Sequence, residues 1–518
     1  MTEIINNDIT NKKMILLETI SVLYDSNIQD AYLTNKIENH ILQLPTILES
    51  LKINREKNQQ KTQEKITDQD KFIQSFLNKY SYFYNSTTDR FFYYDGIHYK
   101  PYAEEDILHN IFLEVSKERH LHTWKQKTKI STLKRIKDQY LLKTIPNSET
   151  IQIIIDMLYP VFFSSKTQAK YFLTILGDTI FKKTPGLVYF ITPHAKNFLR
   201  EIDTYSQLFI GCHPSTQFKY KYHEHDYSAC RFININESIK IESIFYPFLN
   251  NHILDILCVS AHYSNRFGNA DEFLRTYSND DELMNYAFYL KDRTPIELMR
   301  LFCDEYIIRN ESESHVNCSW RTIQYLWKHF LESKSLPNVL FQQELLDYFS
   351  ENYSYDSVSK SISGIFSKFM PGIERFIRFW DETMVIIPTT DFTEYEIDEI
   401  IVLFKKWGAK DGFTERHILD LIVHFFPIVE TDGQKFVFNV KSKLWDKETD
   451  LRKKIDSLHI DISEPCISIY KTYDLYRKNS KQGEIIVNKS YFEKFVLENL
   501  REYIVENQIS LDYWKNNR

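Results

Sequence analysis

The chain is poor in glycine, with 11 among 518 residues, and none of them opens a phosphate-binding loop. Such a loop needs glycines followed by Lys-Ser or Lys-Thr, so that backbone N–H groups and an ammonium wrap the phosphates. Without that pattern the chain lacks the residues of an ATPase motor. A Gly-x-Ser-x-Gly elbow and a His-Glu-x-x-His helix are missing as well. The six cysteines, Cys212, Cys230, Cys258, Cys303, Cys318 and Cys466, stand far apart with no Cys-x-x-Cys, which argues against a disulfide scaffold or a zinc ribbon. No apolar run approaches the ~20 residues of a membrane helix, and residues 1–13 lack the apolar stretch of a signal peptide. The expectation is a cytoplasmic chain without membrane contact. Net charge is −7 and the isoelectric point about 6.2, so contact with a polyanion has to come from a local patch.

What is present is apolar and aromatic material, 43% and 15% of the chain, enough to fold rather than stay disordered. The length suits two to four domains. The reading is a mainly α, multidomain protein with smaller α+β parts. Residues 1–53 carry apolar side chains at helical spacing, and residues 54–70 are so polar that they read as a linker. An α+β module is expected over residues 71–240 and an all-α segment over 241–350. Two helix-rich units with hairpin signals follow, a winged-helix-like domain over 351–450 and a smaller unit over 451–518.

The stretch RFFYYDGIHYKPYAEEDI, Arg90 to Ile107, packs aromatics around Asp95-Gly96 and then turns acidic. Asp-Gly is a strong signal for a two-residue hairpin turn, which would pair Tyr94 with Ile97, Tyr93 with His98, Phe92 with Tyr99 and Phe91 with Lys100. Alternation then puts Phe92, Tyr94, Ile97 and Tyr99 on a core face, and Phe91, Tyr93, His98 and Lys100 on an aromatic and basic one. Glu104, Glu105 and Asp106 open a helix, where carboxylates suit the positive end of its dipole. Farther on, GLVYFIT (Gly186 to Thr192) reads as a buried strand and QFKYKYH (Gln217 to His223) as an alternating one. In the C-terminal third, helices are expected over 394–407 and 414–426, with strands over 428–430 and 435–440 around Asp432-Gly433. In the last unit the reading is a helix over 467–478, a strand over 484–487 and a helix over 489–502.

Three groups of residues have chemistry to offer. The basic run between Lys117 and Lys143 holds Arg119, Lys125, Lys127, Lys129, Lys134, Arg135 and Lys137 beside Trp124, a combination that binds a phosphate backbone and stacks a base, or else forms a solvated helix face. Lys219 and Lys221 alternate with aromatics, and Lys441 and Lys443 lie near Trp445, where a wing strand would touch nucleic acid or the domain would bind protein. Cys212, His213, His223, His225 and Cys230 bring zinc-type ligands into a short span with Asp226, though no standard finger spacing fits. If they held a metal, a nuclease or primase-like reaction would follow; otherwise no cofactor is expected.

The segments FFYYDGIHYKPYAEEDILHNI and YDLYRKNSKQGEIIVNKSYFEKFV resemble the modules flanking the motor in poxvirus-type superfamily 3 primase-helicases and their relatives in giant DNA viruses. SWRTIQYLWKHFLESKSLPNV and HILDLIVHFFPIVETDGQKFVFNVKSKLWDK are similar to text in mimivirus-like proteins. Together these segments touch about a third of the chain. Helicase activity does not carry over, because the P-loop is missing. The resemblance implies an accessory architecture that binds DNA or RNA or docks viral replication or transcription proteins, in the host cytoplasm at the virus factory or in the virion. A structural scaffold of that factory or particle is the rival reading.

Overall fold

The computed structural model describes residues 2–309, 317–387, 393–408, 412–460, 465–480 and 484–516. The chain is mainly helical with several small sheets. It divides into two units, residues 1–219 with 233–287, and residues 220–232 with 288–518.

The first unit begins with α1 (Thr2–Ser26) and the 49-residue α2 (Ala31–Lys79). The stretch expected as a linker, residues 54–70, is helix throughout and lies inside α2. Most of its side chains, the Arg, Glu, Lys and Gln residues, are good helix formers, and polarity alone does not break a helix. An antiparallel sheet of β1 (Ser81–Asn85), β2 (Arg90–Tyr94) and β3 (Tyr99–Tyr102) follows in that order. Next come α3 (Glu104–Lys117), a 3-10 turn over Arg119–Trp124 and α4 (Lys125–Lys137). Then α5 (Ser148–Leu158) and α6 (Lys166–Ile180) lead to β4 (Val188–Phe190), α7 (Lys196–Phe209) and β5 (Phe218–Lys219), which pairs in parallel with β4. The excursion carrying β6 (Cys230–Phe232) belongs to the second unit. The first unit closes with α8 (Glu242–Phe267), α9 (Ala270–Glu272) and α10 (Asp281–Ala287).

By length and composition α8 is able to cross a membrane, yet 67% of that window is buried inside the protein. It is a core helix, crossed closely by α6 at Gly177. A Cβ on Gly177 would fall against the Ser260 carbonyl, far inside van der Waals contact.

The hairpin differs from its expected register. Tyr94 pairs with Tyr99, Tyr93 with Lys100, Phe92 with Pro101 and Phe91 with Tyr102, so four residues form the loop instead of two. The Asp95 carboxylate causes this by accepting the Ile97 and His98 N–H groups at 2.9 and 2.7 Å, and of the Asp-Gly pair only Gly96 takes a positive φ. A slip of two residues preserves which side chains share a face.

The second unit continues through α11 (Pro295–Tyr306), β7 (Ile308–Arg309), β8 (Asn317–Ser319), α12 (Trp320–Ser333), α13 (Gln342–Asn352), β9 (Ser354–Asp356), β10 (Ser361–Ser363) and β11 (Ile365–Phe366). It goes on with α14 (Met370–Thr383), β12 (Met384–Ile386), β13 (Glu394–Glu396), α15 (Ile397–Lys406), α16 (Glu415–Phe425), β14 (Glu430–Thr431), β15 (Phe436–Phe438) and β16 (Val440–Ser442). It ends with α17 (Lys447–Asp456), β17 (Cys466–Ser468), α18 (Ile469–Asn479), α19 (Lys489–Asn499), β18 (Ile504–Val505), β19 (Gln508–Ser510) and α20 (Asp512–Asn516).

One order recurs three times in this unit: helix, strand, two helices, two strands, with one more strand, β7 or β12, after the first helix in the first two repeats. Each time the last strand lies in the middle of the sheet, in the orders β8-β10-β9, β13-β15-β14 and β17-β19-β18. The central pairs also correspond, Cys318 with Ile362, Tyr395 with Val437 and Ile467 with Ile509, all six buried. The first strand of each repeat runs directly into a helix whose N-cap is its own last residue, Ser319, Glu396 or Ser468.

The segment expected as all-α, residues 241–350, therefore contains β7 and β8, and residues 394–396 and 467–468, expected as helix, are strand. Residues 484–487, expected as strand, are not. In the last repeat a two-residue turn forms at Glu506 and Asn507, both at positive φ, without any glycine.

Candidate nucleic-acid interface

Helix α4 is held to the first unit by Thr128, Thr132 and Ile136, all buried and spaced by four. Gln69 of α2 donates to Thr128 Oγ1 at 3.1 Å. With that face inward, Lys127, Lys134, Arg135 and Lys137 are exposed, while Lys125 and Lys129 are half-buried with each ammonium 5.1 Å from the Phe112 ring. Arg119 is exposed on the preceding 3-10 turn. Lys117 shares Glu114 with Lys79, and those two ammonium groups hold the Glu114 carboxyl down at about 2. Trp124 is half-buried, and its ring face is taken by Lys127 Nζ at 3.9 Å and approached by Lys65 Nζ at 5.9 Å. The arrangement places cations on the open side of α4 and does not leave the Trp124 ring bare.

The aromatic hairpin is covered on both sides. Phe91 and Tyr82 belong to the core made with Phe76, Ile107, Ile111 and Ile136, and Lys137 lies 5.4 Å over the Phe91 ring. On the other face Phe92 is fully buried near Phe209, and the Tyr99 hydroxyl meets Thr144 at 2.9 Å. The expected open aromatic and basic face is thus corrected. Phe91 is only 4% exposed, Tyr93 is half-buried between Tyr82 and Tyr102, and Lys100 pairs with Asp95 of its own loop at 2.8 Å. Burial alone would raise the Asp95 carboxyl, but the Lys100 ammonium and the loop N–H groups hold it down at about 2.

Of the other expected contacts, Lys219 belongs to the first unit, and Lys221, Lys441, Lys443 and Trp445 belong to the second. The strand read over 217–223 stops after Lys219, so Lys219 and Lys221 do not alternate along one strand. Lys441 is exposed on β16; Lys443 is exposed with its ammonium on the Glu382 carbonyl at 2.9 Å; Trp445 is half-buried and donates to Asp450 at 2.9 Å. Lys447, beside them, is buried against Glu399 at 2.7 Å. Burial lowers the Lys447 ammonium and raises the Glu399 carboxyl, and their mutual attraction opposes both shifts.

Of the expected zinc ligands, Cys212 and His213 belong to the first unit and His223, His225 and Cys230 to the second. Burial pushes the Cys212 thiol up to about 11 and the Cys230 thiol up to about 12. His213 and His223 are exposed, and His225 has no strand to align it with His223. Among the described residues, metal-ligand spacing occurs instead at His98, His252 and Asp255, whose ligand atoms lie within 4.8 Å of one another. The buried Asp255 carboxylate meets His98 Nδ1 at 2.8 Å and His252 Nδ1 at 3.3 Å, and it accepts the Tyr99 N–H at 2.7 Å. These contacts satisfy the carboxylate and fasten the hairpin loop to α8. The sequence signal was the His-x-x-Asp spacing on one helix face; His98, far away in sequence, completes the set only in the fold.

Two further features escaped the sequence reading. Lys57, Lys61 and Lys65 recur every four residues along the part of α2 expected as a linker, and Lys65 donates to Thr123 Oγ1 at 3.0 Å beside Trp124. In the second unit α16 packs on α12: Arg321 donates to the His424 carbonyl at 2.7 Å, Lys328 pairs with Asp420 at 3.1 Å, and Tyr325 lies against Phe425. A cleft of about 370 Å³ opens there, lined by Trp327, Leu331, Leu336 and Leu345 among others.

No protein-family model matches this chain, and no curated protein or solved structure matches it.

Proposed function

We propose that this protein is a non-ATPase accessory factor that grips the phosphate backbone of DNA or RNA through α4 and docks protein partners through its second unit. The observation that carries the reading is the exposed face of α4. Lys127 and Lys134 are seven residues apart, two turns and roughly 10 Å along one side of the helix, with Arg135 and Lys137 adjoining. Contact of this kind is independent of base sequence and steeply dependent on salt.

The three repeats of the second unit read as winged-helix-like modules, with α13, α16 and α19 where a winged helix carries its recognition helix. Their chemistry favours protein over DNA. Helix α13 carries Glu344, Asp347 and Glu351 without one lysine or arginine, α16 is engaged with α12, and α19 balances two lysines against two glutamates. This division agrees with the likeness to primase-helicase flanking modules. It suits a replication or transcription accessory protein of a large DNA virus, acting at the cytoplasmic virus factory. The acidic α13 favours a second reading, a scaffold of factory or virion that binds only proteins.

Retention of labelled single- and double-stranded DNA at increasing salt separates the two. The first reading expects binding at low salt that weakens steeply, and its loss in the variant Lys127→Glu, Lys134→Glu, Arg135→Glu, Lys137→Glu. No retention at low salt leaves the scaffold.

A further inference from the structure

Helices α1 and α2 fold back on each other through the turn before Asp30, whose carboxylate accepts the Tyr32 and Leu33 N–H groups at 2.9 and 3.2 Å. Across the hairpin the Tyr24 hydroxyl donates to Glu38 at 2.7 Å. The two helices cover little of each other. Ile20, Tyr24, Ile37 and Ile41 are half-buried, while fifteen large apolar side chains between Met14 and Ile53 stay exposed, Leu42 at 75% and Leu16 at 63% among them.

Three observations select a second copy of this chain as the cover. At on the order of 100 Å² apiece, the fifteen side chains offer about 1,500 Å² of apolar surface, beyond the roughly 800 Å² per partner of a standard interface. Along α2, Ile37, Ile41, Leu44, Leu48 and Leu51 alternate steps of four and three, the spacing of a seam that packs against another helix. Charge does not oppose self-association: over residues 11–55, Lys12, Lys13, Lys36, Lys52 and Arg55 balance Glu18, Asp25, Asp30, Glu38 and Glu49.

We propose that the α1–α2 hairpin is a dimerisation element that closes a four-helix bundle with the same hairpin of a second copy. Leu44, Leu48 and Leu51, exposed in the single chain, form the seam between copies.

Size-exclusion chromatography with light scattering on the full chain tests this. The expected mass at micromolar concentration is twice the 62.2 kDa of one chain. The variant Leu44→Glu, Leu48→Glu, Leu51→Glu is expected to run as a monomer, with dissociation strengthened at least ~100-fold and an unchanged circular dichroism spectrum. Changing Val358 and Ile428, 91% and 78% exposed elsewhere, to Glu leaves the dimer intact. A wild-type monomer overturns the proposal, whether it stays free or floats with phosphatidylcholine vesicles, which would make lipid the occupant. A dimer that survives the triple substitution overturns it as well.

Discussion

Two short segments of this chain, Trp124–Lys129 and Lys441–Lys447, each combine one tryptophan with three lysines, and the fold treats them differently. In the first, the buried side of the helix is made by two threonines and an isoleucine farther along, so cations collect on the open side. In the second, Lys447 is enclosed between Glu399 and the Tyr491 ring, Lys443 reaches a backbone carbonyl, and the tryptophan N–H is held by Asp450. The lesson is that a lysine's role follows from the carboxylates and carbonyls the fold brings to it. The tryptophan and lysine content is the same in both places; the surroundings are not.

Breaking the enclosed ion pair is expected to have the largest effect. Lys447→Ala leaves Glu399 buried without its cation and should cost about 3–5 kcal/mol of stability, read by urea unfolding of the full chain. The double change Lys447→Met, Glu399→Leu should recover most of that loss. A cost below about 1 kcal/mol would mean the pair does not hold α15 to α17.

Asp178 sharpens the point from the other side, as a buried carboxylate served by neutral donors. Ser264 donates to it at 2.6 Å and the Ala270 N–H at 2.7 Å, yet burial raises its carboxyl from 3.8 to about 6. The folded protein therefore holds this proton more tightly than the unfolded chain does. The effect on stability is absent below about pH 4, grows as pH rises through about 6 and then levels off, to a loss of about 3 kcal/mol. Subtracting the unfolding free energies of Asp178→Asn from those of the wild type between pH 4 and 7 should reveal that slope; a flat difference would contradict it.

Reversing Lys127, Lys134, Arg135 and Lys137 to Glu should weaken binding of single-stranded DNA at low salt by about 100-fold. Stability should stay within about 0.5 kcal/mol, because these groups are exposed. Reversing Lys441 and Lys443 should change binding by less than about threefold. Equal losses from the two sets of substitutions would erase the distinction drawn here. The smallest effect is expected from Trp124→Ala, a loss under about threefold, since a lysine already occupies the ring face; a loss near tenfold would point to a stacked base.

Much of the fold was legible in the sequence where local chemistry decides it. The acids at 104–106 mark the start of α3, and Ile107, Ile111 and Val115 mark its buried face. Asp95-Gly96 marks a turn, and because the slip was even, the face assignment survived an incorrect loop length. The first repeat was hidden because β8, β9 and β10 have three residues each, too short for alternation to register. Of the proposed contacts, the run on α4 was legible from charge, while Lys65 was passed over because a polar helix reads as a linker. Phe91 was assigned to an open face, since alternation separates two faces but cannot say that helices cover both.

By itself the sequence determined the mainly helical character, the acid-led helix starts, the aromatic hairpin and the lysine run, because each depends on neighbours within a few residues. The tertiary structure decided which rings are bare, which lysines are free and that one order of elements is used three times. Those outcomes depend on groups tens to hundreds of residues apart: Asp255 beside His98, Glu399 beside Lys447, His424 beside Arg321. Pairing across such separations is a property of the assembled chain, and no local spacing encodes it.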